Sequence, residues 1–205
     1  MAEYDLAQAS LHRSLNLAER IGDTPLSSVV FSNLAELAVS SGNLAEAERL
    51  YKKSLILAEG FNDREYMCRW NAGLAAVLQA QGKHDEAAAC VQRAWSIGRN
   101  MHNAPCIGVA LLALANLRIA QAQASPKKLL NIRIRLLAHA RKDIEHALAL
   151  EGLEAETHTR SLLALAEVSL LRGEVDEAQA LANQVTKEAQ RYELVSVELA
   201  ARKLL

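Results

Sequence analysis

Apolar and polar residues are arranged along most of the chain in the pattern of amphipathic helices, with leucine and alanine supplying the apolar positions. Short turns marked by Gly42, Gly82 and Gly173 separate helical segments. Glycine just past a helix end can take the left-handed conformation that closes the helix. The pattern predicts ten helices. They cover about residues 4–20, 25–41, 44–60, 65–81, 84–100, 104–123, 127–151, 156–172, 175–190 and 194–204.

These helices belong to an internal repeat. Leu34-Ala35, Leu74-Ala75 and Leu114-Ala115 follow one another at a spacing of 40 positions, and the next copy, Leu165-Ala166, comes 51 positions later. The extra length equals about three helical turns. Because one helix pair cannot bury its apolar face alone, neighbouring pairs have to stack. The sequence therefore predicts an all-α fold, an α-α superhelix built as a solenoid of antiparallel helix pairs.

The repeat sets the predicted boundaries within a single domain covering residues 1–205. The divisions are a partial repeat 1–23, repeats 24–63, 64–103, 104–154 and 155–193, and a partial repeat 194–205. We place the expansion around Pro126, which can start a helix. Since both ends fall within a repeat, we expect a fragment of a larger protein, or alternatively a complete protein with short caps. Such ends could also stack into a homodimer.

The composition agrees with a helical array: the chain is 51% hydrophobic but only 4% aromatic. It has no run of about 18 consecutive apolar residues, so no membrane span is expected. The N-terminus lacks the features of a signal peptide. Cys68, Cys90 and Cys106 are too scattered for a disulfide framework. We expect a reduced, cytoplasmic setting.

The charge is unevenly distributed, although the net charge is only -1. From Ala87 to Lys142 the chain has nine basic side chains and no Asp or Glu, and acidic residues predominate on both sides. The basic segment 87–142 has two interpretations. It is a solvated face of a long helix, or it attracts an acidic partner. Nucleic acid is not the expected partner, because the chain is not basic overall and no recognition motif accompanies the segment.

Candidate residues for catalysis or metal binding do not form a recognisable set. The six histidines lack a His-Glu-x-x-His or paired-Cys arrangement, and a metal site needs three or four convergent ligands. Cys90 falls at a packing position. No phosphate-binding loop or nucleophile elbow occurs. We therefore expect neither an enzyme nor a cofactor or metal.

A set of residues recurs in each repeat and is clearest in the first complete copy. That copy contains Phe31, Leu34-Ala35, Ala38, Gly42, Ala47 and Tyr51. The arrangement resembles the tetratricopeptide repeat (TPR), whose usual length is about 34 residues with a closing proline. Here the repeat is 40 positions long and lacks that proline. It is similar to the variety found in Leu-Gly-Asn-type adaptors and in maltose-regulator-like sensor domains.

The resemblance implies that the first helix of each pair lines a concave groove that receives a peptide or partner protein. The groove residues it implies are Val29, Asn33, Glu36, Arg69, Gln79, Val109, Leu112, Asn116, Arg160, Leu163 and Glu167. The same offsets include Ser32, Ala72, Gly73, Ala76 and Ala113. The Lys/Asn set that grips a C-terminal carboxylate in chaperone-binding relatives does not occur as a set. This lining suits a helix or an extended segment anchored by apolar side chains.

Two functions remain open at this point. The first is a protein-binding scaffold, for which Leu112→Asp or Leu163→Asp should weaken binding while the fold survives. The second is a regulatory sensor domain of a larger signalling or transcription protein that binds a small effector, for which we expect a deep closed pocket. Trp70 and Trp95 are either packing residues or partner anchors, and we expect Trp70 to be partly exposed.

Overall fold

A computed structural model describes the backbone of residues 2–205 and the side chains of residues 4–126 and 128–205. Within this range the chain forms ten α-helices, as predicted, and one short 3₁₀ turn at Lys127–Leu129. The helices are α1 (Ala2–Ile21), α2 (Thr24–Ser40), α3 (Leu44–Gly60), α4 (Arg64–Ala80), α5 (His84–Met101), α6 (Ala104–Ala124), α7 (Leu130–Leu148), α8 (Ala155–Arg172), α9 (Val175–Arg191) and α10 (Val195–Arg202). The contacts divide the chain into two compact units, residues 1–97 and residues 98–205.

The 40-residue spacing of the repeat is also the spacing of the residues that begin three of the first helices. Asp23, Asp63 and Asn103 are the N-cap residues of α2, α4 and α6. Each side-chain oxygen accepts a hydrogen bond from the backbone N–H three residues later, at 2.9, 3.0 and 2.9 Å respectively. These bonds satisfy an N–H group that the helix itself leaves without a partner. The repeat therefore encodes where the first helix of each pair begins.

The predicted glycine turns are also confirmed. Gly42, Gly82 and Gly173 have φ values of 79, 78 and 84°, which lie in the left-handed region that favours glycine. Each follows the last turn of a first helix and precedes its partner helix within three residues. The turn therefore closes the first helix and directs the chain back along it.

The first unit is built around small and branched side chains shared by α1 to α4. Fully buried Ala18, Ala35, Ala47 and Ala58 let the helices approach closely. Two linked hydrogen bonds cross this core. Trp70 Nε1 donates to Ser28 Oγ at 3.0 Å, and Ser28 Oγ donates to the Ser54 carbonyl at 2.9 Å. These bonds join α4, α2 and α3.

Two apolar clusters connect the helices of the second unit. One joins α6, α7 and α8 through buried side chains that include Leu112, Ile119, Leu137, Ile144 and Leu165. The other joins α8, α9 and α10 through Leu162, Val185, Ala189, Val197 and Ala201. The short helix α10 is thus anchored to α8 and α9 by its buried side chains Val197 and Ala201.

The expansion of the third repeat appears in the α6–α7 hairpin. The 3₁₀ turn follows Pro126, and α7 ends at Leu148, three residues before the predicted end. Leu153 then lies against Gly108 of α6, where a Cβ atom would overlap Leu153 Cδ1. The loop after α7 therefore packs onto α6 instead of extending the helix.

Helix α6 also has the length and composition of a membrane span, with 21 residues and a mean hydropathy of 1.5 in its most apolar 18-residue window. The sequence pattern did not reveal this, because polar residues interrupt the apolar run. Buried core helices share these properties, and 44% of the apolar window is buried. Arg118, in the middle of the helix, forms an ion pair with Asp143 of α7. We interpret α6 as a core helix.

Candidate functional site

The first candidate surface is the accessible stripe of the first helices in unit 1. On α2, Asn33 and Glu36 are exposed and Val29 is half-buried, and their spacing of four and three residues places them on one side of the helix. On α4, Arg69 and Gln79 are half-buried. These five predicted residues are thus at least partly accessible, and we call this stripe of α2 and α4 the unit 1 face.

Two features of α4 shape this stripe. Arg69 forms an ion pair with Glu65 one turn earlier, at 3.1 Å, which fixes its guanidinium along the helix. Ala76 is exposed, whereas Ala72 is buried at 7% exposure. Gly73 faces the buried ring of Tyr51 on α3, where an added Cβ would come within 2.6 Å of ring carbons. The stripe therefore combines a fixed charge with small residues.

The corresponding stripe in unit 2 runs along α6 and α8. Val109, Ala113 and Asn116 are half-buried on α6, and Arg160 is exposed on α8, where it pairs with Glu156 at 2.8 Å. Gln123 Nε2 donates to Glu167 Oε1 at 2.7 Å, which ties the C-terminal part of α6 to α8. We call this stripe the unit 2 face.

The structure corrects the placement of Leu112. Its side chain is only 9% exposed and packs in the cluster of α6, α7 and α8, so it does not line an accessible face. Ser32 and Ala72 occupy the same offset in their repeats and are also buried. Leu163, the fourth member, is half-buried and packs against the cluster of α8, α9 and α10. This offset therefore points mainly toward the core.

The structure also corrects the expectation that Trp70 is partly exposed. Its ring is 8% exposed, its Nε1 is hydrogen-bonded to Ser28, and Tyr66 stacks on it with centroids 5.2 Å apart. Phe61 packs edge-on against Tyr66 at 6.3 Å. The tryptophan is a packing residue, and the aromatic row extends from it toward the α3–α4 turn.

The basic segment 87–142 is partly neutralised in the fold. Arg141 forms ion pairs with Glu145, Glu174 and Glu177 at 2.9, 2.9 and 2.7 Å. Hydrogen bonds from Arg141 and Ser169 lower the pKa of Glu177 to about 2. Arg118 forms an ion pair with Asp143. The side chain of Lys127 lies outside the described residues. The remaining cations concentrate near the start of α7, where Lys128, Arg133 and Arg135 make no ion pair with any described side chain.

Two surface cavities, one in each unit, have linings that contain no predicted groove residue. One, of about 260 Å³, lies in unit 1 between α1, α2 and α3 and includes Phe31 and Lys53. The other, of about 500 Å³, lies in unit 2 between α7 and the α8–α9 turn. Exposed side chains line both, so neither matches the deep closed pocket expected for a small-effector sensor.

The three thiols are buried, and the histidines do not form part of a metal-binding group among the described residues. Cys68, Cys90 and Cys106 are buried and reduced, and burial raises the pKa of the Cys90 thiol. Cys68 Sγ donates to the Ala94 carbonyl at 3.3 Å. A raised pKa opposes formation of the nucleophilic thiolate. Within the described residues no group of three or more His, Cys, Asp or Glu side chains is placed to hold a metal ion.

The N-terminal part of the chain matches a known family by sequence. Residues 1–59 match the tetratricopeptide repeat model. A comparison with curated protein sequences finds no match.

Solved structures extend the likeness to nearly the whole chain. BtubC from P. vanneervenii is 17% identical, with a TM-score of 0.58 over 98% of this chain and 88% of that one. Two crystal structures of a kinesin-light-chain-type protein of Podosopora anserina with nearly identical TPR-like repeats are also similar. Their identities are 18 and 19%, their TM-scores 0.53 and 0.51, and they cover 94 and 93% of this chain and 95% of theirs. The predicted fold class, an all-α TPR-like solenoid, is confirmed.

Proposed function

We propose that this chain is a protein-binding scaffold that captures a peptide or a partner protein on the accessible faces of its first helices. The proposal covers the unit 1 face on α2 and α4 and the unit 2 face on α6 and α8, each by itself. The observation that carries it is a TPR-like fold, which generally serves protein–protein interaction, with first-helix stripes that remain accessible.

The residues on these faces support binding by complementarity. Each stripe combines small side chains such as Ala76 and Ala113, which leave space for a partner, with polar groups such as Asn33 and Arg160 that can give direction. Arg69 and Arg160 form ion pairs along their own helices, which favour one direction of each guanidinium before a partner binds. The mechanism is docking without bond-making, and the cytoplasm is the setting we propose.

The experiment compares variants on and off the proposed faces. Ala76→Arg places a large charged side chain on the unit 1 face, and Ala89→Arg makes the same change at an accessible position of α5. For unit 2, Arg160→Glu is matched by Lys187→Glu on α9. Tagged proteins are used to capture partners from an extract of the source cells, with quantification by mass spectrometry.

We expect a defined set of proteins to be captured by the unaltered chain and by both control variants. At least one face variant should capture these proteins about tenfold less, because interface centres carry most of the binding energy. Equal capture by all four variants would contradict the proposal, as would equal loss in the controls. Circular dichroism checks that each variant remains helical.

The narrower resemblance to Leu-Gly-Asn-type adaptors or to maltose-regulator-like sensor domains stays a prediction. A sensor function would need a small molecule that raises the midpoint of thermal unfolding. The two open cavities do not favour that function. An acidic partner, however, has specific structural support at α7.

A further inference from the structure

The inference concerns the N-terminal half of α7, the second helix of the expanded repeat. Arg141 contacts Glu174 and Glu177 at the first turn of α9, so the start of α9 lies level with that part of α7. Helix α7 begins about three helical turns earlier, at Leu130. At about 1.5 Å per residue, roughly 16 Å of α7 extends beyond the start of α9. This part of α7 consequently has no second helix of the next repeat beside it.

The extended part of α7 carries apolar side chains that the fold leaves exposed. Leu130 is 58% exposed and Ile134 is 55% exposed, although both lie on the side that faces the next repeat. Together with Leu137 and Leu171 they line the cavity of about 500 Å³ between α7 and the α8–α9 turn. We call this cavity, with its flanking Arg133 and Arg172, the α7 groove.

The charges around the α7 groove have one predominant sign. Arg133 lies in its wall. Lys128 precedes Leu130 by two residues, and neither cation has an acidic partner among the described side chains. Glu174, the one acidic residue of the lining, is already paired with Arg141 and Arg172, both at 2.9 Å. An occupant therefore meets an apolar floor bordered by cations.

We propose that the α7 groove binds a short amphipathic acidic peptide segment of a partner protein, with its apolar side chains on Leu130, Ile134 and Leu171 and its carboxylates near Arg133 and Lys128. A helix of two to three turns matches the length of the groove, since Leu130 and Ala138 are about 12 Å apart along α7. An anionic membrane would also attract cations and apolar side chains. A recessed groove fits a peptide better than a flat lipid surface. This site goes beyond the proposed function and does not depend on either first-helix face.

The test is a peptide selection in which peptides that also bind a groove variant are discarded. A phage-displayed library of random peptides, each long enough to form about four helical turns, is selected on the unaltered chain. Binders to the Arg133→Glu/Ile134→Asp double variant are removed. Because that variant keeps both first-helix faces, peptides bound there are subtracted, and failure of the proposed function would not affect the outcome. Both altered side chains lie at the surface, and circular dichroism verifies the fold.

The selected peptides should be rich in Asp and Glu, with Leu, Ile or Phe spaced by three and four residues. Fluorescence anisotropy of the best of these peptides should show binding that is weakened at least about tenfold by Arg133→Glu or by Ile134→Asp, and also by high salt. Ile56→Asp and Arg93→Glu are the matched controls, since they place the same changes at exposed positions of unit 1, and they should alter the affinity less than about twofold.

Three results would overturn the proposal. They are selection of no peptide that survives the subtraction, selection of basic or uncharged peptides, and equal loss of binding in the control variants. Vesicles of phosphatidylcholine with about one-third phosphatidylserine test whether an anionic membrane, instead of a peptide, binds at the α7 groove. Binding to these vesicles that depends on Arg133 and Ile134, without any peptide binding, would likewise reject the peptide as occupant.

Discussion

Gly73 and Tyr51 form a close helix–helix approach in unit 1, and their pairing predicts an unusual response to mutation. A Cβ atom added at Gly73 would lie 2.6 Å from Tyr51 Cε1 and Cζ and 2.7 Å from its Oη. Ordinary contact distances between carbon atoms are about 3.5–4.0 Å. Gly73→Ala therefore requires the ring to move by about 1 Å, although Tyr51 is only 5% exposed and has packed neighbours.

Two opposing contributions determine the size of the effect. Overpacking a well-filled core costs about 1–3 kcal/mol. Alanine is better than glycine inside a helix by about 1 kcal/mol, and this preference favours the variant. The unfolding free energy of Gly73→Ala should consequently fall by about 1 kcal/mol, which is opposite to the gain expected for an unhindered helix position.

The assay is a double-mutant cycle with Tyr51→Val, which introduces the residue found 40 positions later, at Val91. In that background the ring is absent, so Gly73→Ala should stabilise the protein by up to about 1 kcal/mol. Urea unfolding is followed by tryptophan fluorescence, because Trp70 and Trp95 both belong to unit 1. The coupling energy should be about 2 kcal/mol. Equal stabilisation by Gly73→Ala in both backgrounds would refute the close approach of Gly73 and Tyr51.

Three further predictions follow from buried contacts and ion pairs. Trp70→Phe should lower the unfolding free energy by about 1–2 kcal/mol in urea titration, because it removes the hydrogen bond to Ser28 within the core; an unchanged midpoint would contradict this. Leu112→Asp should unfold unit 2, with a cost of at least about 3 kcal/mol for a buried unpaired charge, and intact helicity by circular dichroism would show that the residue is accessible after all. The pKa of Glu177 is lowered from 4.5 to about 2, so its stabilising effect is present above pH 4.5 and is lost as the pH falls toward 2. Glu177→Gln should therefore lower the unfolding free energy by about 1 kcal/mol at neutral pH and by almost nothing near pH 2. Thermal unfolding measured across this pH range tests this, and an equal loss at both pH values would exclude the ion pair with Arg141 as the cause.

The features that could be predicted from the sequence are those encoded by short spacings. Asp63 is predictable as a helix start because a side-chain oxygen and the N–H it receives are three residues apart. Gly82 is predictable as a turn because its backbone conformation excludes most other residues. Ten helices and the turns between them follow from such local signals, and so does the expansion in the α6–α7 hairpin.

Other features depend on contacts between distant parts of the chain. The family offset places Leu112 on the wrong side of α6, because each position turns a side chain by about 100° around a helix and an offset in sequence does not fix that direction. The sequence does not predict that Trp70 is buried, because the hydrogen-bond partner that receives its N–H, Ser28, lies 42 residues earlier in the chain. The pairing of Arg141 with Glu177 spans 36 residues and shows only in the folded chain. The α7 groove depends on how far α7 extends beyond α9, a length that only the structure supplies.

The most direct test of the first-helix faces as binding surfaces is site-specific photo-crosslinking in source-cell extract. A photoreactive amino acid is placed at Asn33 or Ala76 on the unit 1 face, and at the accessible positions Ala89 and Ala180 on second helices as controls. We predict that the same discrete protein adduct forms from Asn33 and Ala76 and does not form from Ala89 or Ala180. Adducts of equal yield at all four positions, or adducts confined to the second helices, would contradict the assignment of the first-helix faces as the binding surface.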